Sequence, residues 1–209
     1  YYICTINLIM SNIWFTSDTH YSHTNIAGPK ISSWKSGWRN FDSVHQMNSA
    51  LVEGINKYVQ EDDVLYHLGD WSFGGEANIL NFRNLLICKN IHLIRGNHDE
   101  HIGSDLCFTD SGDLFDPLQL FSSVNDVLTL KLGKTKIFLS HYSHRVWSGS
   151  HKGVIHLYGH SHSSIPDLGK SMDVGVDVAN KMFGEYRPFS IDEIMRIMDK
   201  REIHKIDSH

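Results

Sequence analysis

Five short strand-like runs in this chain each break off into a small polar cluster of histidine, aspartate, asparagine and glycine. Ile13–Ser17 leads into Asp18-Thr19-His20, Val64–Leu68 into Gly69-Asp70, and Ile91–Ile94 into Gly96-Asn97-His98-Asp99. Further on, Lys136–Leu139 leads into Ser140-His141, and Val154–Tyr158 into Gly159-His160-Ser161-His162. Runs of this length and composition, closed by turn residues, read as buried β-strands. In an α/β sheet the carboxyl ends of the strands line the ligand crevice, so clusters scattered along the chain are able to meet in space.

The segments between them support that architecture. Ser43–Val59 carries Val44, Met47, Leu51, Ile55 and Val59 at helical spacing, with a cap expected near Asp42. Ala77–Leu86 reads as a second amphipathic helix, so strand and helix alternate in the βαβ rhythm of an α/β fold. Residues 100–125 are broken by Gly103, Gly112 and Pro117 and read as an irregular excursion with one short helix, forming one wall of a cleft. Val127–Leu132 and Lys136–Leu139 flank Gly133-Lys134 as a β-hairpin. Met172–Val176 is expected to be a further strand, and Ser190–Asp199 a closing helix. With no linker or repeat in view, residues 10–209 are expected to form a single domain. Met10 directly precedes the first strand, which suggests the natural start and makes residues 1–9 an N-terminal extension.

Composition limits what the clusters can bind. Nineteen Lys and Arg against 24 Asp and Glu give a formal charge of −5, so no global basic field exists to hold extended nucleic acid. A small anionic ligand needs a local positive centre instead. Fifteen histidines, several clustered with aspartate, point to metal as that centre. Cys4, Cys88 and Cys107 form neither a paired framework nor a metal-binding spacing, which suits a reducing, cytoplasmic setting. No stretch approaches a membrane span, and nothing here indicates an oligomeric state.

The chemistry of the clusters follows from their spacing. In Asp18-x-His20 and His160-x-His162 the i, i+2 separation sends both side chains to one side of an extended segment, as two ligands of a common centre require. Glycines before Asp70, Asn97 and His160 permit a close approach of backbone to an ion or phosphate. Any single cluster has an adequate explanation as a turn. All of them, in order and each behind its own strand, do not.

The ordered pattern D-x-H, G-D, G-N-H-D, H and G-H-x-H resembles the calcineurin-like metallophosphoesterase superfamily, from Ile13 to about Ile194. Ser17-Asp18-Thr19-His20-Tyr21-Ser22-His23, His67-Leu68-Gly69-Asp70 and Val174-Gly175-Val176-Asp177 look most like its small single-domain bacterial and phage members. The resemblance implies a β-sandwich core flanked by helices, with a dimetal site at the strand ends. It implies that Asp18, His20 and His162 hold one divalent ion, Asn97, His141 and His160 a second, and that Asp70 bridges them. The mixed N/O ligand set suits Mn first, with Fe, Zn, Co or Ni as alternatives. A water between two such ions would lose its proton near neutrality and serve as the nucleophile for in-line attack on phosphorus.

His98 and Asp99 are the catalytic candidates that are not ligands: His98 to protonate the leaving oxygen or bind the phosphoryl group, Asp99 to orient a neighbour. His23 and Arg95 are candidates for contacting substrate, with Arg145 and Arg187 as further phosphate clamps; each also has a plain reading as a loop or surface residue. His45, His67, His92 and His156 are read as packing residues, and His101, His144, His151, His204 and His209 as surface or loop residues. Trp34, Trp38, Trp71 and Trp147 lie in loops near proposed ligands, to stack on a base or to build the cleft wall. The expected activity is hydrolysis of a phosphodiester or nucleotide. The alternatives are a phosphomonoesterase, including a protein phosphatase, a nuclease acting on nucleic-acid ends, and a non-catalytic scaffold. The scaffold reading is disfavoured because no ligand position is missing.

Overall fold

In the computed structural model, which describes residues 4–5, 12–103 and 105–204, two five-stranded sheets face each other across one apolar layer. Met10 and most of the proposed extension lie outside the described residues; Cys4–Thr5 (β1) is the part that is described. The first sheet contains Ile13–Thr16 (β2), Val64–His67 (β3), Asn90–Ile94 (β4) and Ser123–Asn125 (β7), all parallel, in that order. Phe189–Ser190 (β12) joins its edge antiparallel to β2. The second sheet runs β1, Val127–Leu132 (β8), Thr135–Ser140 (β9), Ile155–Tyr158 (β10) and Ser171–Asp173 (β11). Within it β8 and β9 form the expected hairpin, and β9, β10 and β11 are parallel.

Alternation along β3 shows why every residue of that strand is buried. Val64 and Tyr66, with Leu68 beyond them, face the second sheet and meet Leu139, Leu157 and Met172 in the inter-sheet core. Leu65 points the other way, into a layer with Ile55 and Val59, Ile79 and Phe82, and the indole of Trp71. A strand covered on both faces reads as a continuous apolar run, and its side chains still divide between two cores by the pleat.

The outer layer of the first sheet is supplied by Val44–Tyr58 (α2) and Ala77–Leu85 (α3), and the short Thr24–Ala27 (α1) packs on α2 through Ile26, Ala27, Met47 and Leu51. Ser43, not Asp42, caps α2: its hydroxyl accepts from the Gln46 amide at 3.1 Å. At the other end of the chain Ile191–Asp199 (α5) starts with a full capping box between Ser190 and Glu193 and buries Ile194 and Met198 in the inter-sheet core.

The irregular excursion contains more order than its breakers suggest. Cys107–Phe108 (β5) and Leu114–Phe115 (β6) pair as a small hairpin, Pro117–Leu120 forms a 3₁₀ turn, and β7 extends the first sheet beside β4. Three residues are too few for a periodic signal, so β7 was legible only through its partner. Met172–Val176 is also corrected. The strand stops at Asp173, and Val176 opens the helix Val176–Phe183 (α4), because Gly175 turns the backbone beside Ser17. Cys88 and Cys107 are free and buried. Among the described residues no helix is long and apolar enough to cross a membrane.

Candidate metal centre

The five clusters come together at the carboxyl ends of β2, β3, β4, β9 and β10, along one edge of the sandwich. Their backbone is held in an unusual state. Asp18, His20, Asp70, His160 and His162 all have positive φ, between 46° and 65°. Left-handed backbone is uncommon for residues with a Cβ, and where it is concentrated the surrounding structure has to enforce it. Here the enforcement is a lattice of amide bonds: Asp18 N–H donates to the Gly69 carbonyl at 2.9 Å, and His20 N–H to the Asp70 carbonyl at 3.0 Å. Gly96 and Gly159 make the convergence possible. A Cβ at Gly96 would collide with the Asp70 carboxylate, and one at Gly159 would collide with Ser17 and sit 2.6 Å from Asp18 Oδ2.

The side chains meet in three overlapping sets whose ligand atoms lie within 4.8 Å of one another: Asp18, His20 and His162; His20, Asp70 and His98; and Asp70, His141 and His160. Asp70 stands in the middle. Its Oδ1 accepts from the His98 amide at 3.0 Å, which leaves Oδ2 3.3 Å from His20 Nε2 and 3.5 Å from His141 Nε2. Asn97 Oδ1 completes the far side, 3.1 Å from His141 Nε2.

Whether a metal fits here is decided by the atoms left over. His20 is 3% exposed, and neither ring nitrogen has a hydrogen-bond partner among the described residues, although Nε2 lies next to a carboxylate oxygen. A buried imidazole that approaches a carboxylate without a hydrogen bond aims its lone pair at a point between them, where a cation satisfies both. The charge balance makes the same demand. Burial pushes the Asp18 carboxyl up to about 7 against the pull of His162, and holds His20 well below the ordinary histidine range. Asp70 resists its own burial and lies far below the carboxylate range because of His141 and His20, while its hydrogen bond and charge outweigh burial at His141 and raise that ring to about 9. The two opposite shifts have one cause, the pull between the Asp70 carboxylate and the imidazoles beside it. The nitrogen and oxygen donors fit divalent transition-metal ions.

A second layer of contacts fixes the rings. His162 Nδ1–H donates to Asp177 Oδ2 at 2.7 Å, and His141 Nδ1–H donates to the Leu68 carbonyl at 2.7 Å, so each ring turns Nε2 inward. Asp177 is in turn gripped by Arg39, whose guanidinium also donates to the Asp18 and Thr19 carbonyls at 2.6 and 2.9 Å. Asp173 holds the histidine loop from beneath, accepting from Ser161 Oγ at 2.6 Å, Ser163 N–H at 3.1 Å and Gly175 N–H at 2.7 Å. Sequence reasoning gave none of Arg39, Asp173 and Asp177 a role. For Asp177 a signal existed, an acidic residue in the first turn of a helix after a glycine. Arg39 lies in an irregular loop without any pattern.

The other candidates separate clearly. His98 is exposed at the rim, with a ring nitrogen near His20 and Asp70. Asp99 lies beneath the loops and not at the rim. It is 2% exposed, and its oxygens are occupied by the amides of Gly96, Asp70 and Trp71 at 2.7 to 3.0 Å. It is the peg on which the Asp70 and Asn97 loops hang together. Arg95 borders a cavity of about 460 Å³ beside Asn97 and His141, but its guanidinium is paired with Asp126 at 2.7 Å. Arg187 is committed to Glu193 and stacks over Phe183 and Tyr58. His23 is buried at the start of α1, 5.3 Å from the His20 ring and stacked on Phe73, and burial lowers it to about 4. His67 bonds to Thr19 Oγ1, His92 to Ser123 Oγ, and His45 is exposed on α2 instead of packed.

A fold of two facing sheets with this constellation on one edge defines a metal-dependent phosphoesterase. Residues 11–193 match the profile of the calcineurin-like phosphoesterases, and the chain belongs to that family of phosphoric ester hydrolases. It is 28% identical over 203 residues to an uncharacterised protein of Methanocaldococcus jannaschii, covering 93% of this chain and 95% of that one. It is 29% identical over 177 residues to the gene 66 protein of Mycobacterium phage D29, covering 75% and 81% of the two chains. Among solved structures, a protein of unknown function from Aquifex aeolicus shares the fold with a TM-score of 0.59 at 18% identity, over 90% of this chain and all of that one.

Proposed function

We propose that this protein is a dimetal phosphodiesterase that acts on small phosphodiesters or nucleotides. The observation behind the reading is the position of Asp70 Oδ2, 3.3 Å from one buried imidazole and 3.5 Å from another, with no hydrogen-bond partner at the first. Asp18, His20 and His162 would hold one ion, Asn97, His141 and His160 the other, with Asp70 shared. Two such ions, when bound, supply Lewis acidity at the phosphoryl oxygens and lower the pKa of coordinated water. Manganese is the first choice of metal, since the mixed imidazole and oxygen donors suit it.

The chain's own groups do the rest. Asp177 and the Leu68 carbonyl hold the protons of His162 and His141 on Nδ1, so both rings present a lone pair to the centre. His98, free at the rim, meets the leaving oxygen and delivers a proton to it. A diester is favoured because the Asn97–Glu100 loop separates two cavities, about 460 Å³ on the His141 side and about 240 Å³ on the Phe73 side, leaving room for a substituent on each flank of one phosphoryl group.

The test is metal reconstitution followed by assay over monoesters, diesters, cyclic nucleotides and oligonucleotides, with metal content measured on the same sample. Turnover of diesters such as bis(p-nitrophenyl) phosphate, lost in Asp70→Asn together with metal, is the expected result. A sample with two bound ions that hydrolyses nothing in the panel overturns the proposal.

A further inference from the structure

Three aromatic side chains stand exposed around the centre, and they are not equivalent. Tyr142, 50% exposed, is tied into the ligand set: its hydroxyl donates to Asn97 Oδ1 at 3.3 Å and its ring abuts His141 and His160. Phe73 and Trp34, 36% and 45% exposed, belong to a separate group on the opposite flank. Phe73 stacks face to face on His23 at 3.9 Å, and Trp34 meets the same imidazole edge-on at 5.2 Å. His23 itself is 5% exposed, so it backs both rings and leaves their outer surfaces to solvent. Phe73 also lines the cavity of about 240 Å³ next to His98, and its ring lies 5.2 Å from the His98 imidazole.

A rigid ring anchored from behind loses little entropy when it binds a planar group. No lysine or arginine lines the cavity, and Asp99 and Glu100 do, which disfavours a second phosphate there. We infer that Phe73, supported by His23 and flanked by Trp34, is a stacking platform for the nucleobase of a nucleotide substrate. This inference rests on the proposed phosphoesterase activity and specifies its substrate. With the phosphoryl group at Asp70 and His20, the ester chain passes His98 and brings a flat heterocycle onto the free face of Phe73. Stacking of this kind tolerates any base, because each has a π-face, so the platform selects base-bearing esters without choosing among bases.

Adenosine 5′-monophosphate and ribose 5-phosphate separate this contact from phosphate binding, since the second carries a hydroxyl where the first carries the base. On manganese-loaded protein the nucleotide should bind roughly 5- to 150-fold more tightly, the range of one base–aromatic contact. If either compound is hydrolysed, kcat/KM replaces the dissociation constant. Phe73→Leu and Trp34→Ala should each shrink that ratio towards one, and Phe73→Tyr should keep it, which guards against a misfolded variant. Nucleotide binding should also quench Trp34 fluorescence, read as a signal absent from Trp34→Phe. Equal affinities in the unaltered protein, or a ratio that survives both Phe73→Leu and Trp34→Ala, overturn the platform. Hydrolysis of bis(p-nitrophenyl) phosphate in that same sample would leave the phosphoesterase reading standing, and a base preference without any hydrolysis would sink that reading alone.

Discussion

Arg39 and Asp177, 138 residues apart in the chain, join in a two-pronged ion pair, Nε to Oδ1 at 2.8 Å and Nη2 to Oδ2 at 2.9 Å. The pair is buried on the arginine side and touches the centre at two points, through His162 and through the Asp18 carbonyl. It therefore locks the first and last clusters of the site to each other. Asp177→Asn removes the charge that holds the His162 proton on Nδ1, and metal affinity should fall about 10- to 100-fold while the circular dichroism spectrum stays unchanged. Arg39→Lys should weaken metal binding as well, because an ammonium cannot reproduce the planar two-pronged contact. Metal titration by calorimetry checks both.

His98 and Asp99 are neighbours in sequence with different work, and substitution should divide them. His98→Ala should lower kcat by roughly 10²- to 10⁴-fold with two ions still bound, and the loss should be smallest for substrates with good leaving groups. Asp99→Asn places an amide N–H against backbone N–H groups in a buried site, at a cost of about 1–3 kcal/mol. Denaturant unfolding should register that loss of stability, and it should be absent in His98→Ala.

Gly96 is a steric test of the centre. Gly96→Ala drives a methyl group into the Asp70 carboxylate and to 2.5 Å from the Asp70 backbone nitrogen, so the carboxylate and the turn that carries it must both shift relative to His20 and His141. Metal content should drop below two ions per chain, with the fold retained by the remaining β3 and β4 pairing. An alanine variant that binds two ions with unchanged affinity would contradict the close approach.

His156 predicts a pH dependence of stability away from the centre. Its Nε2 accepts from the His144 amide at 3.0 Å and its Nδ1 lies 3.2 Å from the Phe138 carbonyl, so the folded protein holds one neutral tautomer. Burial lowers it to about 4, despite the Phe138 carbonyl. The unfolded ring takes its proton near 6.5. Between those values the unfolded state binds a proton that the folded state refuses, so stability is full above pH 6.5 and declines as pH falls towards 4. Urea midpoints of chelator-treated protein at pH 7 and pH 5 should differ by less in His156→Gln than in the unaltered chain.

The five strands and their terminal clusters were legible along the chain because each is a local event: a buried apolar run, then residues that stop it. Helix α2 was legible for a similar reason, Met47, Leu51 and Ile55 recurring at the helical period. Strand β7 was not, since three half-buried residues acquire their structure from pairing with β4. Helix α4 was hidden because Val174 and Val176 continue the look of a strand, and the turn between them exists only where Gly175 meets Ser17. The same distinction runs through the site. Asp18, His20, Asp70, Asn97, His98, His141, His160 and His162 could be selected by type and spacing, which are properties of short segments. That Asp99 is a peg for backbone amides, that Arg95 is spent on Asp126, and that Arg39 and Asp177 clamp the two ends of the cluster were decided only by tertiary structure. Hydrogen bonds between residues 28 to 138 positions apart leave no periodic trace in a sequence; they exist when two sheets close on a common core and bring the ends of their strands to one edge.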